Sequence, residues 1–482
     1  MSIKRDLVSG VLYIAIAKYS GMMIQLGITA ILARLLTPED YGIIAIAYVF
    51  IYFFNILSDI GIGPAIIQNK KLDEKDFKNI FSITLYLGLI LSIIFYFSSW
   101  LIADYYGKEI LVSICQSLCV LVFAYCMTVV PQNLLYKEKK FKKIAFATLF
   151  INIFAGVCSV IAAYNNWGVY SLVLTNLLSS ILSTAFFYYS KPVGFTFLPD
   201  FHSFEKIMSF SIFQFLFNLV NYLGRNVDKI LIGRIVGMQP LGYYEKSYRL
   251  MLLPLQNVTF VITPVMLPVF SNLQNDFREL LDKYCKILKL LSYISIPISV
   301  ICFFCGRELI LLFFGNQWAG AIVPFKILSL TIWMQILTSS TGSIFQASNK
   351  TKGMFIAGCY GAFFMISSFV ITLNIWGTIT AVAIGYLCAQ VANTIQCFWL
   401  IFRLLNCSIL ICLRSLIKPM IVSLILAIIL SVYSLLFSVD NLFGELCIKA
   451  MLGCFLTLIS IQFMDEYDFV ALFKYQIIKM KI

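Results

Sequence analysis

The 482-residue chain is 61% hydrophobic and only 12% charged, about half the charge density of a soluble domain, which excludes an ordinary soluble globular protein. Its formal net charge of +13 lies mainly in short segments between apolar runs. Basic residues placed there set membrane orientation, so a nucleic-acid partner is not expected.

Apolar runs of about 20 residues recur from end to end, as in an all-α polytopic membrane protein; β-barrel strands would alternate instead. The fourteen cysteines mostly lie inside these runs and act as small apolar residues. Cys302 and Cys305 form a CxxC within IPISVICFFCG, where packing outweighs metal or redox chemistry. His202 is the single histidine, so no metal site and no cofactor are expected.

In chain order, MSIKRD resembles the start of a signal peptide, but Lys18 interrupts the apolar region and no convincing cleavage site follows. Residues 11–36 therefore read as an uncleaved first span. TPED (37–40) reads as a turn, and the second span covers 41–67, with its end bent or frayed at the Gly-Ile-Gly-Pro stretch 61–64. Further spans are expected at 80–105, 110–136, 144–164 and 169–189, with the most basic loop, KEKKFKK, at 137–143. After a surface-lying loop at 191–206, spans follow at 207–236, 241–270, 287–305, 319–347, 353–373, 378–402, 419–437 and 442–463, with a shallow outer turn at 308–315. That makes about fourteen transmembrane helices. The N-terminus and the even-numbered connections hold most lysines and arginines, while the opposite connections hold single residues such as Lys108, Arg307 and Lys449. This alternation puts both termini in the cytoplasm.

ILARLLTPEDYG (31–42) and LIGRIVGMQPLG (231–242) align without a gap at an offset of 200. Arg34 falls on Arg234, Gly42 on Gly242 and Tyr48 on Tyr248. Six spans separate the copies, so both have one orientation, as in parallel repeats that leave a site between two halves. The expected architecture is two pseudo-symmetric six-helix lobes, 1–190 and 207–403, joined by a cytoplasmic linker at 191–206. Residues 404–482 add two further helices and a cytoplasmic tail.

Polar residues mark the walls of such a site. On the seventh span Gln214, Asn218, Asn221, Arg225 and Asp228 recur at three- and four-residue spacing and share a face, where Arg225 and Asp228 can pair. Lys18, Gln25 and Thr29 share a face of the first span, and Tyr48, Tyr52, Asn55 and Asp59 share one of the second. Tyr244, Tyr248, Gln256 and Thr259 line the eighth, where Glu245 and Arg249 stand one turn apart. A charge at mid-bilayer costs about 2.5–3.5 kcal/mol and usually faces a cavity. Structural alternatives stand beside these readings. Arg34 and Arg234, near helix ends, suit snorkelling anchors as well as ligands. Asp59 suits hydrogen bonding at a broken helix end, Asp228 suits neutralising Arg225 or Lys229, and the tyrosines suit packing.

Taken together, Lys18, Arg225, Lys229, Lys246 and Arg249 outweigh Asp59, Asp228 and Glu245, so the expected surface attracts an anion. Guanidinium groups suit phosphate through paired hydrogen bonds. Gln25, Asn55, Asn218, Asn221, Tyr48 and Tyr248 suit hydroxyl-rich groups, and the three carboxylates suit ion coupling. A lipid-linked sugar diphosphate meets these demands.

LARLLTPEDYG, FFNILSDIGIGPAIIQ, NYLGRNVDKILIGRIVGMQPLGYYEKSYRLMLLPLQNVT and PVFSNLQND resemble the polysaccharide-transporter branch of the multidrug/oligosaccharidyl-lipid/polysaccharide exporter superfamily, and within it the Wzx-type flippases. The resemblance implies a bacterial inner-membrane protein of two six-helix bundles that flips an undecaprenyl-diphosphate-linked oligosaccharide by alternating access. It implies central cations for the diphosphate, a role that Arg225, Lys18 and Arg249 fit here. Membrane lipids and the polymerase and chain-length proteins of the same pathway are the implied partners. The alternatives are an exporter of cationic drugs, which would want an acidic cavity, and a membrane polymerase or ligase, which would want a sizeable outer loop. No nucleotide loop, nucleophile–base set or metal cluster is present in the sequence, so no enzyme activity is expected.

Overall fold

The computed structural model describes residues 2–463 apart from 60–61, 70–71, 201, 272–276, 349, 405–406, 408–409 and 438–440. The described residues form seventeen α-helices, one 3-10 helix and no strand. In order these are α1 Ser2–Leu35, α2 Pro38–Asp59, α3 Ile62–Gln68, α4 Glu74–Tyr106, α5 Ile110–Lys137, α6 Phe141–Tyr164, α7 Tyr170–Ser190, α8 His202–Ile235 and α9 Met238–Ser271. They continue as α10 Phe277–Phe304, α11 Gly306–Phe314, the 3-10 helix Asn316–Ala321, α12 Ile322–Ser329, α13 Ile332–Ala347, α14 Thr351–Trp376, α15 Ile379–Leu404, α16 Leu410–Leu436 and α17 Leu442–Phe463.

Among the described residues ten helices are long and apolar enough to cross a membrane, and the segments Asn316–Ser329 and Ile332–Ala347, bent by 48° at their joint, make an eleventh span if counted as one. Helices α1, α8 and α9 have 34 residues each, or about 51 Å, against a hydrocarbon core of about 30 Å. Adding them gives fourteen, the number expected. The protein is an all-α polytopic membrane protein.

Three details differ from the sequence reading. The second span starts earlier, because TPED is a helix N-terminus and not a free turn. The Asp40 carboxylate accepts from the Thr37 N–H at 2.9 Å and the Thr37 hydroxyl at 2.7 Å, and the Asp40 N–H donates back to that hydroxyl at 3.2 Å. This reciprocal cap, with Pro38 in the first helical position, starts α2 at Pro38. The expected outer turn at 308–315 is mostly helix α11. Lys449, expected in an outer loop, lies inside α17 and is 6% exposed.

The 200-residue repeat is visible in the helix boundaries. Helices α1 and α8 end at 35 and 235, and α2 and α9 start at 38 and 238. In the second copy Gly237, at φ +114°, makes the turn that the capped Thr37 makes in the first. The two turns meet. A Cβ built on Gly42 would fall on the Met238 carbonyl oxygen, and one built on Gly242 on the Pro38 carbonyl oxygen. Only glycine allows this backbone-to-backbone approach between the two helix starts.

By contacts the chain divides into two compact units, Met1–Glu245 and Lys246–Ile482, a division that falls inside α9. In the first unit α4 and α7 lie along α5, α6 lies along α1 and α7, and α8 packs on α2 and α4. A core of Ile62, Ile66, Ile80, Phe81 and Val130 joins α3, α4 and α5. The basic loop ends of this unit are gathered together. Lys137 donates to the Asn69 carbonyl at 3.0 Å and covers the Phe77 ring, and Glu138 bridges Lys140 at 2.6 Å and Lys191 at 2.5 Å. In the second unit α14 packs on α15, α15 on α12 and α13, and α10 on α13 and α16. There α17 touches α10, α11 and α16.

Two predictions follow from this packing. Gly42→Ala and Gly242→Ala each force a backbone shift, worth roughly 1–3 kcal/mol, and should lower the thermal midpoint of the purified protein by roughly 2–6 °C. Both disturb one contact, so the double variant should lose less than the sum, which a thermal-shift series measures. The hydrogen bonds from Lys140 and Lys191 hold the Glu138 carboxyl below its ordinary value. A depressed carboxylate stabilises above its unfolded value of about 4.3 and loses that contribution as pH falls through the folded value. Tryptic cleavage after Lys140 at neutral pH should therefore be faster in Glu138→Gln than in the parent protein.

Candidate functional site

The turn at Gly237 folds the start of α9 back along the end of α8. Within the first unit this brings four polar side chains together. Asp228 is 1% exposed; its carboxylate accepts the Lys229 N–H at 2.8 Å and the Tyr244 hydroxyl at 3.0 Å. The Lys229 ammonium pairs with Glu245 at 3.0 Å, and Glu245 is 5% exposed. A buried carboxylate survives only with donors around it, and here one helix supplies the lysine and the other the hydroxyl.

The expected pair between Arg225 and Asp228 does not form. Both Asp228 oxygens are turned to Lys229 N–H and Tyr244, which are closer at hand than a guanidinium one turn back. Arg225 stays exposed and makes no ion pair or hydrogen bond among the described residues. It stands ten residues before the end of α8, or about 15 Å along the axis, near the middle of a 30 Å core.

Helix α8 is stitched to its neighbours over this same stretch. The Tyr222 hydroxyl donates to the Val49 carbonyl of α2, and the Tyr106 hydroxyl of α4 donates to the Ile230 carbonyl at 3.4 Å. Arg234 donates to the Tyr105 carbonyl and lies 5.0 Å from the Tyr105 ring centre. It is neither a simple anchor nor an open ligand: it clasps the C-terminal end of α4, where the helix dipole favours a cation.

The other expected residues are distributed as follows. Lys18 is half-buried and Gln25 exposed on α1, which packs along α6. On α2, Tyr48 lies 5.9 Å from Tyr52, and Asn55 has a buried side-chain oxygen without a hydrogen-bond partner. Asn221 is half-buried on α8. The side chains of Asp59, Gln214 and Asn218 lie outside the described residues. In the second unit Lys246 is 2% exposed, with its ammonium 5.1 Å from the Phe314 ring and 5.6 Å from the Trp318 ring. Tyr248 meets Tyr386 edge to face at 5.8 Å, and Arg249 is exposed.

Sequence periodicity thus found the face but not the partners. Tyr106 and Tyr222 went unnoticed, because a tyrosine in an apolar run carries no signal of its hydroxyl's partner. Tyr244 was placed on the right face without its role at Asp228.

Removing one member of a buried ion pair strands the other, at about 3–5 kcal/mol. Lys229→Ala should therefore strongly lower the unfolding temperature in detergent. Lys229→Met combined with Glu245→Gln should lose less than the two single changes summed. Tyr244→Phe, which removes one donor to Asp228, should cost about 1–3 kcal/mol.

The chain is 24% identical over 430 residues to the teichuronic acid biosynthesis protein TuaB of Bacillus subtilis (strain 168), covering 89% of each chain. It is also 24% identical over 415 residues to the lipopolysaccharide biosynthesis protein WzxC of Escherichia coli (strain K12), covering 84% of this chain and 82% of the other. The fold is similar to a solved structure of the lipid II flippase MurJ in an inward closed conformation, with a TM-score of 0.77 and 17% identity. That likeness covers 94% of this chain and 98% of the other. Residues 31–323, more than half of the chain, match the model of the polysaccharide biosynthesis protein family, and the chain belongs to that family.

Proposed function

We propose that this protein is a flippase that carries a lipid-linked oligosaccharide diphosphate, with undecaprenyl as the lipid, across the bacterial inner membrane by alternating access. The observation that carries the proposal is Arg225. An exposed guanidinium without a counter-ion among the described residues, ten residues before the end of a 34-residue helix, suits an anionic ligand that arrives and leaves. A diphosphate can take two parallel hydrogen bonds from it. The names of the two relatives, both in cell-surface polysaccharide biosynthesis, supply the substrate class. The family and the MurJ-like fold support a transport step in place of a catalytic one.

In this reading Arg225 contacts the head group, with Lys18 beside the path. Lys229 keeps its helix in register through Glu245. Asn55, Asn221, Gln25 and Tyr48 face the glycan. The repeat supports two six-helix lobes, 1–190 and 207–403, joined by 191–206, with 404–482 as an added pair of helices and a tail. The basic loop ends gathered around Glu138 are on the cytoplasmic side, as are both termini. The polymerase and chain-length proteins of the pathway would receive the product.

The test is a strain lacking the gene, complemented with Arg225→Ala or Arg225→Lys at matched protein levels. Arg225→Ala should cut surface polymer at least about tenfold, the loss of one charged hydrogen-bonded contact. Lipid-linked repeat units should accumulate in the inner leaflet, and Arg225→Lys should rescue only in part. Normal arrival of repeat units at the outer leaflet without polymerisation would favour an enzyme and overturn the proposal.

A further inference from the structure

Periodicity puts polar walls on the first two helices of each half, but the first unit has a further polar surface on α6 and α7. The Ser179 hydroxyl of α7 donates to the Asn152 side-chain carbonyl oxygen of α6 at 2.9 Å. Both residues lie near the middle of their helices, which have 24 and 21 residues, and so near the middle of a hydrocarbon core of about 30 Å. Asn152 is exposed, and its NH2 group has no hydrogen-bond partner among the described residues.

Lipid is not what exposes it. Phe146, Phe150, Phe154, Val157 and Ile161 recur at three- and four-residue spacing and are 38% to 65% exposed, so they form the lipid-facing side of α6. Asn152 stands about 200° round the helix from Phe150, on the opposite side, with Thr148 one turn before it. An amide donor facing hydrocarbon without an acceptor is costly. The side of α6 that carries Asn152 therefore faces a water-filled passage. The bonds that merely join helices in this unit are buried: the Ser159 hydroxyl of α6 donates to the Ser171 carbonyl of α7 at 2.7 Å, and the Thr184 hydroxyl of α7 donates to the Ala124 carbonyl of α5 at 3.2 Å. Around Asn152, by contrast, hydrogen-bonding capacity is left open. Gln25 of α1 is exposed and Ser183, one turn after Ser179, is half-buried, and neither side chain has a hydrogen-bond partner among the described residues. Gly21 of α1 lies against Leu149 and Gly156 against Ile28, which sets Gln25 at the level of Asn152.

The residue types name the ligand chemistry. Helices α5, α6 and α7 contain no aspartate or glutamate, and their lysines stand only in the last turn of α5 and the first turn of α6. At mid-depth the surface thus offers amide and hydroxyl groups and no charge, which suits neither phosphate nor a bare cation. Sugar hydroxyls, which donate and accept at once, match it.

We propose that Asn152 and Ser179 form a sugar subsite in the first unit. The Asn152 NH2 group donates to a glycan hydroxyl, and the Ser179 oxygen accepts from one. The bond between the two side chains holds the amide carbonyl and leaves the NH2 group as the free end. Gln25 and Ser183 extend the same surface. The proposal rests on the flippase reading for its ligand and adds residues that contact the glycan and not the diphosphate.

The test measures binding to the purified full-length protein with two probes, bare undecaprenyl diphosphate and the lipid-linked repeat unit extracted from a strain lacking the gene. Asn152→Leu, close in volume and unable to hydrogen-bond, should weaken binding of the repeat unit about five- to tenfold and leave undecaprenyl diphosphate unchanged. Arg225→Ala should weaken both. If Asn152→Leu weakens both probes equally, or neither, the subsite is overturned and the flippase reading stands. A parent protein that binds neither probe removes the flippase reading, and the subsite with it. A loss seen in sodium but not in potassium salt at one ionic strength assigns the oxygens to a cation and also overturns the proposal. Should Asn152→Leu fail to fold, Ser179→Ala takes its place, with an expected loss of about threefold for the repeat unit alone.

Discussion

A charge inside hydrocarbon must be paired, laid against a ring or turned towards water, and the packing of this protein is arranged around that requirement. Lys229 is paired with Glu245, and Lys449 is shared between Glu308 and Glu445. Lys246 lies against Phe314 and Trp318, and Arg234 against Tyr105. Each solution also joins two helices that the chain separates, so the charges that cost most to bury also register the helices. What remains for a ligand is much smaller than the +13 of the sequence suggests. At Arg225 neither a carboxylate nor a ring among the described residues takes up the charge.

The glycine contact is the apolar counterpart. Helices in lipid gain little from burying apolar surface against one another, so close approach and complementary shape carry the association. The repeat makes that approach reciprocal: the turn of each copy places a carbonyl where the other copy has a glycine. A self-complementary contact of this kind resembles the isologous interface of a two-fold dimer, in which one patch serves twice. Tyr222, Tyr106 and Arg234 extend the join along α8 with bonds to backbone carbonyls.

The fold was largely legible because its signals are local. Apolar run length located the ten helices that are long and apolar enough to cross a membrane, and the ungapped offset of 200 residues reappears in two helix boundaries. TPED was misread as a turn because its cap depends on reciprocal hydrogen bonds that periodicity does not register. The site was legible only as a set of faces. Spacing placed Arg225 and Asp228 together on α8, but Asp228 is satisfied from α9, and Tyr244 answers it sixteen residues on. Lys449 looked like an outer-loop charge beside an apolar run. Its burial depends on Glu308, 141 residues earlier, and no local pattern encodes that distance.

The contrast between Arg225 and the lysines at 229, 246 and 449 has a physical basis. Lys229 and Lys449 each sit beside carboxylates of their own chain, and Lys246 sits on two rings; such settled charges need no ligand. A guanidinium spreads its charge over a plane, is more weakly hydrated than an ammonium and offers donors in a fixed fork. It can stand in a polar passage at smaller desolvation cost and exchange water for phosphate oxygens without changing protonation state. On the proposed reading, closing the passage around an empty Arg225 would strand a charge in low dielectric, whereas closing it around a diphosphate would not. The same residue that binds the head group would then also favour the closed state only when the head group is present.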